Sequence, residues 1–307
     1  MISSIFGRTK PINFVLLLLF TIVFVAVFVI FGPIQEPGAI RTPELLINLL
    51  LIIFTVLLID FINRKNTLSK NNSYISLFYV VFLCMFPRIF LDTNLVVANI
   101  FILLALRRLI SIRSGLEVEN KIFDASLWIC AAAFFFSWSI LFLIVVYMAI
   151  FLYSYQYYQN LLIPLVAVFL VAILAFTYYF MTDHVEAFLD IFRMKPEFNF
   201  NKYYEPGYLF PIVFLSGFGF IAVLIYFFKM RSKSSRGRAP GLLVLIHLAV
   251  ALLVAAFAES PNTSELIFVG FPLSVIFTKY LETVKRKWLK EGLLWLFVIV
   301  PFWILLL

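Results

Sequence analysis

The chain has 307 residues, of which 64% are hydrophobic, 19% aromatic and only 13% charged, with a mean hydropathy of +1.06. A soluble globular chain is about 45–50% apolar and about 25% charged, and a water-soluble core of this size cannot take up so much apolar surface. A cytosolic enzyme, a secreted domain, a disordered tail and a nucleic-acid binder are therefore excluded, and lipid is the solvent for most of the chain. The net charge of +8 then reads as an orientation signal, because Lys and Arg gather on the cytoplasmic side of spans. Cys84 and Cys130 both lie in apolar runs with no CxxC or Cys/His cluster, which predicts free buried thiols.

Arg8 and Lys10 precede the first apolar run. That run is too long for a signal-peptide core and no small-x-small cleavage site follows it, so it reads as an uncleaved span. A spanning helix needs about 20 apolar residues. By that measure spans fall near residues 12–31, 44–61, 74–87 and 95–112. A continuous apolar stretch, 125–158, comes next, followed by spans near 161–181, 208–228, 241–258, 266–281 and 293–307. The stretch 125–158 reads either as one over-long helix or as two, 125–137 and 139–158, turning near Ser137 and Trp138.

Charge decides between them. With two crossings and the N-terminus inside, 19 of the 24 Lys and Arg residues lie on the inner side, leaving Arg41, Arg88, Arg193, Lys195 and Lys202 outside. With one crossing the split is 12 and 12. The positive-inside rule selects two crossings. The predicted fold is thus all-α: a polytopic integral membrane helical bundle, one transmembrane domain over residues 1–307. It has about eleven transmembrane helices, N-terminus in and C-terminus out. Ten of the sixteen carboxylates then lie outside.

The loops are mostly short, so neighbouring spans form antiparallel hairpins. The long outer loop runs over residues 182–207. Within it Val185, Phe188, Leu189 and Phe192 recur at i, i+3, i+4 and i+7, which predicts an amphipathic helix on the outer interface. Asp183 and Glu186 have capping-box spacing at its start, and Pro196 lies beyond its end. The tail of the loop, EFNFNKYYEPGY, is aromatic and polar. The inner loop KMRSKSSRGRAPG is basic and suits anionic headgroups.

The residues able to carry chemistry sit mainly in outer turns. FGPIQEPGAIRTPELL offers Glu36, Arg41 and Glu44. Thr42 and Pro43 read as a helix start, which puts Glu44 in the first turn, where the macrodipole favours a carboxylate. Glu44 is thus a capping group, or, with Glu36, a candidate base or cation ligand. PRIFLDTN places Arg88 and Asp92 four apart. They read as an interfacial ion pair with Asp92 capping the next span, or Arg88 is a fork for phosphate or carboxylate. Asp183, His184 and Glu186 sit at the outer end of span 161–181. No HExxH or similar spacing accompanies them, so no transition-metal site and no cofactor is expected, and a carboxylate-bound Mg or Mn is the option left open. Inside the bilayer, His247 reads as a hydrogen-bonded core histidine or a functional group. Asn48 reads as helix–helix glue, and Asp60 with Arg64 as a pair. Charges avoid the midplane, which disfavours transport of charged solutes.

One resemblance emerges from this order of elements. A hairpin ending in RRLISIR, then FFFSWSILFLIVVYMAIFLY, then LLIPLVAVFLVAILAFTYYFMTD with a long outer loop resembles a family of uncharacterised inner-membrane proteins of Bacteroidota, mainly flavobacteria. More distantly, the layout is similar to membrane glycosyltransferases of the GT-C type and to envelope polysaccharide polymerases. That resemblance implies a polyprenyl-phosphate-linked sugar as substrate at the outer face. Glu36 or Glu44 would be the acidic residue of the first outer loop, and Arg41 and Arg88 would hold the lipid phosphate. In those enzymes the acidic residue is usually Asp, which this loop lacks. Three readings follow: a lipid-linked-sugar transferase or polymerase of the bacterial inner membrane, a non-catalytic scaffold or accessory subunit of an envelope machine, and a small-molecule transporter. The partners implied are membrane lipid, a lipid-linked substrate and an envelope protein, with no nucleic acid.

Overall fold

The structure is a computed structural model that describes residues 2–31, 42–154, 157–192, 201–231, 234–258 and 263–304. In chain order its α-helices are α1 (Ile2–Phe6), α2 (Pro11–Phe31), α3 (Thr42–Asn66), α4 (Tyr74–Met85), α5 (Thr93–Ser111), α6 (Val118–Phe135) and α7 (Leu143–Tyr153). There follow α8 (Ile163–Met181), α9 (Val185–Phe192), α10 (Pro206–Arg231), α11 (Ser235–Phe257), α12 (Ile267–Leu281) and α13 (Lys287–Ile304). No strand occurs among the described residues.

Seven helical segments are long and apolar enough to cross a bilayer: Pro11–Ile30, Pro43–Asn66, Thr93–Ser114, Tyr158–Met181, Pro206–Arg231, Gly237–Phe257 and Ser264–Leu281. Tyr74–Met85 and Ser137–Tyr153 are apolar but shorter. Both α6 and α13 are 18 residues long and open on charged residues, Glu119, Lys121 and Asp124 in one, Lys287, Lys290 and Glu291 in the other.

The chain forms two compact units. Unit one comprises Met1–Val96, Asn199–Lys233 and Asn262–Leu307, and unit two comprises Val97–Phe198 and Ser234–Pro261. At the centre of unit one is α4, hydrophobic all round and buried at every one of its residues, as expected of a helix with no polar face to show. It packs on α12, α3, α2 and α13. The α12 contact is close because residue 270 is glycine: a Cβ there would lie 2.9 Å from Phe82 and 3.1 Å from Tyr79. Phe297 of α13 touches Phe78, Phe214, Phe218 and Phe277 with ring centroids 5.1–5.2 Å apart. Four helices are joined through that one ring, in offset and edge geometries that aromatic quadrupoles favour.

The end of unit one that carries the α4 N-terminus is fastened by carboxylates. Oε1 of Glu282 accepts from the Lys70 N–H at 2.7 Å and from Asn72 Nδ2 at 2.9 Å, while Lys279 Nζ reaches Oε2 at 3.1 Å. Oε1 of Glu291 accepts the Ser3 N–H at 3.1 Å, and the Tyr74 hydroxyl donates to the Ser3 carbonyl at 3.0 Å. Asp60 and Arg64 pair at 2.6 Å.

In unit two the stretch 125–158 is two elements rather than one rod. Helix α6 ends at Phe136, whose backbone is extended (φ −150°, ψ 104°), and a 3₁₀ turn, Ser137–Phe142, leads into α7. Helix α6 packs on α8, and α7 packs on α11. At the α5–α6 corner Lys121 Nζ donates to the Ser111 carbonyl at 3.1 Å and Ser114 Oγ at 2.8 Å, beside an Arg108–Asp124 pair at 2.8 Å.

The amphipathic spacing of 185–192 does form a helix, α9, and its Phe188 meets Phe176 and Tyr179 of α8 at 5.6 and 6.2 Å. Asp183, however, belongs to the end of α8 rather than to a capping box on α9. It takes a left-handed φ of 56°. The His184 N–H bonds to the Tyr179 carbonyl at 2.9 Å and the Asp183 N–H to the Phe180 carbonyl at 3.3 Å. This is a Schellman termination, in which a short polar residue takes the left-handed position glycine usually fills.

Candidate functional site

The residues singled out in the sequence divide between the units. Glu36 and Arg41 lie outside the described residues. Glu44, Arg88 and Asp92 all belong to unit one, and Asp183 and His184 to unit two.

The unit-one cluster is built where α4 stops. Pro87 cannot continue a helix from Met85, and Pro87–Leu91 winds as a 3₁₀ turn. This turn carries Arg88. Its guanidinium carbon lies 5.4 Å from the ring centroid of Tyr208, at the start of α10, a cation–π arrangement. Arg88 Nε is buried without a hydrogen-bond partner among the described residues.

Asp92 does not pair with Arg88. Its Oδ1 accepts the Leu95 N–H at 3.1 Å, capping α5. Burial pushes its carboxyl above the ordinary range, and the backbone N–H groups of Leu95 and Asn94 oppose that shift. Of the expected ion pair with an Asp92 cap, the cap forms and the ion pair is absent among the described residues. That leaves the Arg88 fork without a carboxylate among the described residues.

Helix α3 packs on the same turn through Asn48, fully buried, whose Nδ2 donates to the Phe90 carbonyl at 3.0 Å. One helical turn earlier stands Glu44, exposed in the first turn of α3. The α3 start, the Arg88 turn and the α5 cap therefore share one end of unit one.

Three further residues join that end that sequence reasoning did not single out as site residues. Glu265, only 2% exposed, accepts from the Tyr203 hydroxyl and from the Thr263 N–H at 3.2 Å. It lies in the 3₁₀ turn Ser264–Leu266, which packs on the Arg88 turn. Thr263 before it holds a left-handed φ of 76°. Burial, and then the charge of Glu265, raise the Tyr203 hydroxyl pKa far above its ordinary value. The third is Tyr208 itself. The available signal was the aromatic, polar tail NKYYEPGY, which supplies both tyrosines.

In unit two, Asp183 and His184 are exposed, and the His184 ring nitrogen Nδ1 meets the Thr182 carbonyl. No group of three or more His, Cys, Asp or Glu side chains suited to a metal occurs among the described residues. His247 is buried, its ring 4.9 Å from that of Phe142, beside a gap of about 10 Å³. That is room for about one water, not for a solute.

Seven segments long and apolar enough to cross a bilayer, with no strand among the described residues, define a multi-pass, all-helical membrane protein. The chain belongs to a family of unknown function, DUF6427, whose model matches residues 9–305. No curated protein and no solved structure matches it.

Proposed function

We propose that this protein sits in the bacterial inner membrane with the Arg88 end of unit one at the periplasmic face, where it holds the phosphate of a lipid-linked substrate. In its specific form the reading is a GT-C-like transferase or polymerase acting on polyprenyl-phosphate-linked sugars. The observation that carries it is Arg88: a planar bidentate donor braced on Tyr208 and, with Asp92 spent on capping α5, without a carboxylate partner among the described residues. The fork matches carboxylate and phosphate geometry alike, and phosphate is the anion a polyprenyl-linked sugar brings to it. Glu44 is the base of this reading, its charge favoured by the first turn of α3 and its exposure suited to an incoming hydroxyl. Glu36 is the second carboxylate of the same outer loop.

The topology that goes with this reading has eleven crossings: the seven long segments together with α4, α6, α7 with its preceding turn, and α13. The N-terminus is inside, and 19 of the 24 basic residues face the cytoplasm.

The test is an envelope glycan profile in cells carrying Arg88→Ala, Arg88→Lys or Glu44→Gln in place of the wild type. Loss of a glycan with unchanged protein level in Arg88→Ala and Glu44→Gln is expected, with Arg88→Lys intermediate because it keeps the charge and loses the fork. Unaltered glycans in all three refute the transferase and favour the scaffold reading. The packed surroundings of His247 give the transporter reading no observation of its own.

A further inference from the structure

Between α6 and α8 of unit two runs a groove of about 60 Å³, open on one side. Its walls include Cys130, Ala133, Ile140, Ala172 and Ala175, with Phe188 of α9 contributing as well. Every lining residue is apolar. From geometry and depth we infer that this groove is a binding site for one acyl chain of a bilayer phospholipid. The inference is independent of the transferase reading.

Three observations select that occupant. First, the groove residues of α8, 168–175, fall in the middle of the span Tyr158–Met181. The adjoining face of α8 is exposed, with Phe169 at 66% and Ile173 at 62%. At that depth the medium outside the groove is hydrocarbon. Water is excluded by the lining itself, since an apolar cavity with no hydrogen-bonding partners stays dry. Second, α6 and α8 pack directly on one another, and a helix with its side chains is about 10–12 Å across. The gap of about 60 Å³, walled in part by three alanines, therefore takes a segment of an acyl chain and excludes a helix from a second copy. Third, Phe188 contributes to the groove from an amphipathic helix, next to the exposed polar residues Asp183, His184 and Glu186. Polar exposure beside one part of an otherwise apolar groove matches the two-part chemistry of a phospholipid. An acyl chain restores to the alanine walls the dispersion contacts that an empty gap forfeits.

The test uses the full-length protein in nanodiscs containing phosphatidylethanolamine with a diazirine in one acyl chain. After irradiation, adducts are mapped by peptide mass spectrometry. Adducts concentrated in residues 130–140 and 168–175, competed away by unlabelled phosphatidylethanolamine and lost in Ala172→Phe, are the expected result. Ile173→Phe, on the exposed face of the same helix, leaves them in place. Adducts spread along the exposed face without competition, adducts undiminished in Ala172→Phe, or cross-links between two copies of the chain each overturn the proposal. Should Ala172→Phe fail to fold, competition in the wild type decides by itself.

Discussion

Thr263 holds a φ of 76°, a conformation that costs a β-branched residue on the order of 1–3 kcal/mol. Its neighbours show what holds it there. The Thr263 N–H points at Oε1 of Glu265, the same oxygen that takes the Tyr203 hydroxyl. A buried carboxylate needs such donors, because an unpaired charge in a low dielectric is far costlier than a strained turn. Tyr203→Phe therefore lowers stability by roughly 1.5–3 kcal/mol, the range for hydrogen bonds to charged groups, as a drop in thermal midpoint measured in detergent. Asp92 behaves differently. Its folded pKa lies above the ordinary value, so above that ordinary value the folded state binds the proton more tightly than the unfolded chain does. Its contribution to stability is greatest at acid pH and declines as pH rises through the folded pKa. Asp92→Asn keeps an acceptor for the Leu95 N–H and removes the buried charge, so it matches or exceeds wild-type stability at pH 7. Asp92→Ala loses the cap and costs about 0.5–2 kcal/mol. Melting curves of the wild type and the two variants from about pH 3.5, below the ordinary Asp value, to pH 7 check both statements. Asp92 and Arg88 were legible in the sequence because they share one short turn. Tyr203 and Glu265 are 62 residues apart, and no local pattern announces a contact that only the fold creates.

At the scale of elements, the apolar runs of the sequence located the helices well, because 3.6-residue winding in lipid leaves little alternative for such segments. The break within 125–158 was legible through charge alone, since nothing in FFFSWSIL is a strong helix breaker; the structure puts it at Phe136. What local pattern misread was the start of α9. The spacing of Asp183 and Glu186 mimics a capping box, yet the backbone at Asp183 is spent on closing α8. The α4–α12 contact was also illegible, because a glycine in an apolar run looks the same whether it faces lipid or a neighbour. Gly270→Ala is expected to cost about 1–3 kcal/mol, as overpacking does, with Gly270→Leu preventing assembly of unit one. Both read out as the fraction of monodisperse protein on size-exclusion chromatography in mild detergent. Unchanged profiles for Gly270→Leu would show that the aromatic rings of Tyr79 and Phe82 yield more readily than their burial implies.

At the scale of the molecule, composition alone established a membrane protein, while the division into two units was hidden. Unit one takes three stretches of chain and unit two takes two, so sequence neighbours do not reveal unit membership. Charge asymmetry reports sidedness but says nothing about which helices pack. The units differ in how the chain supplies their centres. In unit one that centre is α4, which has no residue exposed and, at 12 residues, is about 18 Å long, well short of a bilayer's hydrocarbon thickness of about 30 Å. Its chief partner, α12, emerges from the ribosome roughly 180 residues later. At about 5–20 residues per second, the nascent protein waits on the order of ten to forty seconds before that partner arrives. During biogenesis the insertion machinery or a chaperone must shelter a segment too short to settle in lipid unaided, which makes the newborn chain, rather than the finished one, the form most exposed to quality-control proteolysis.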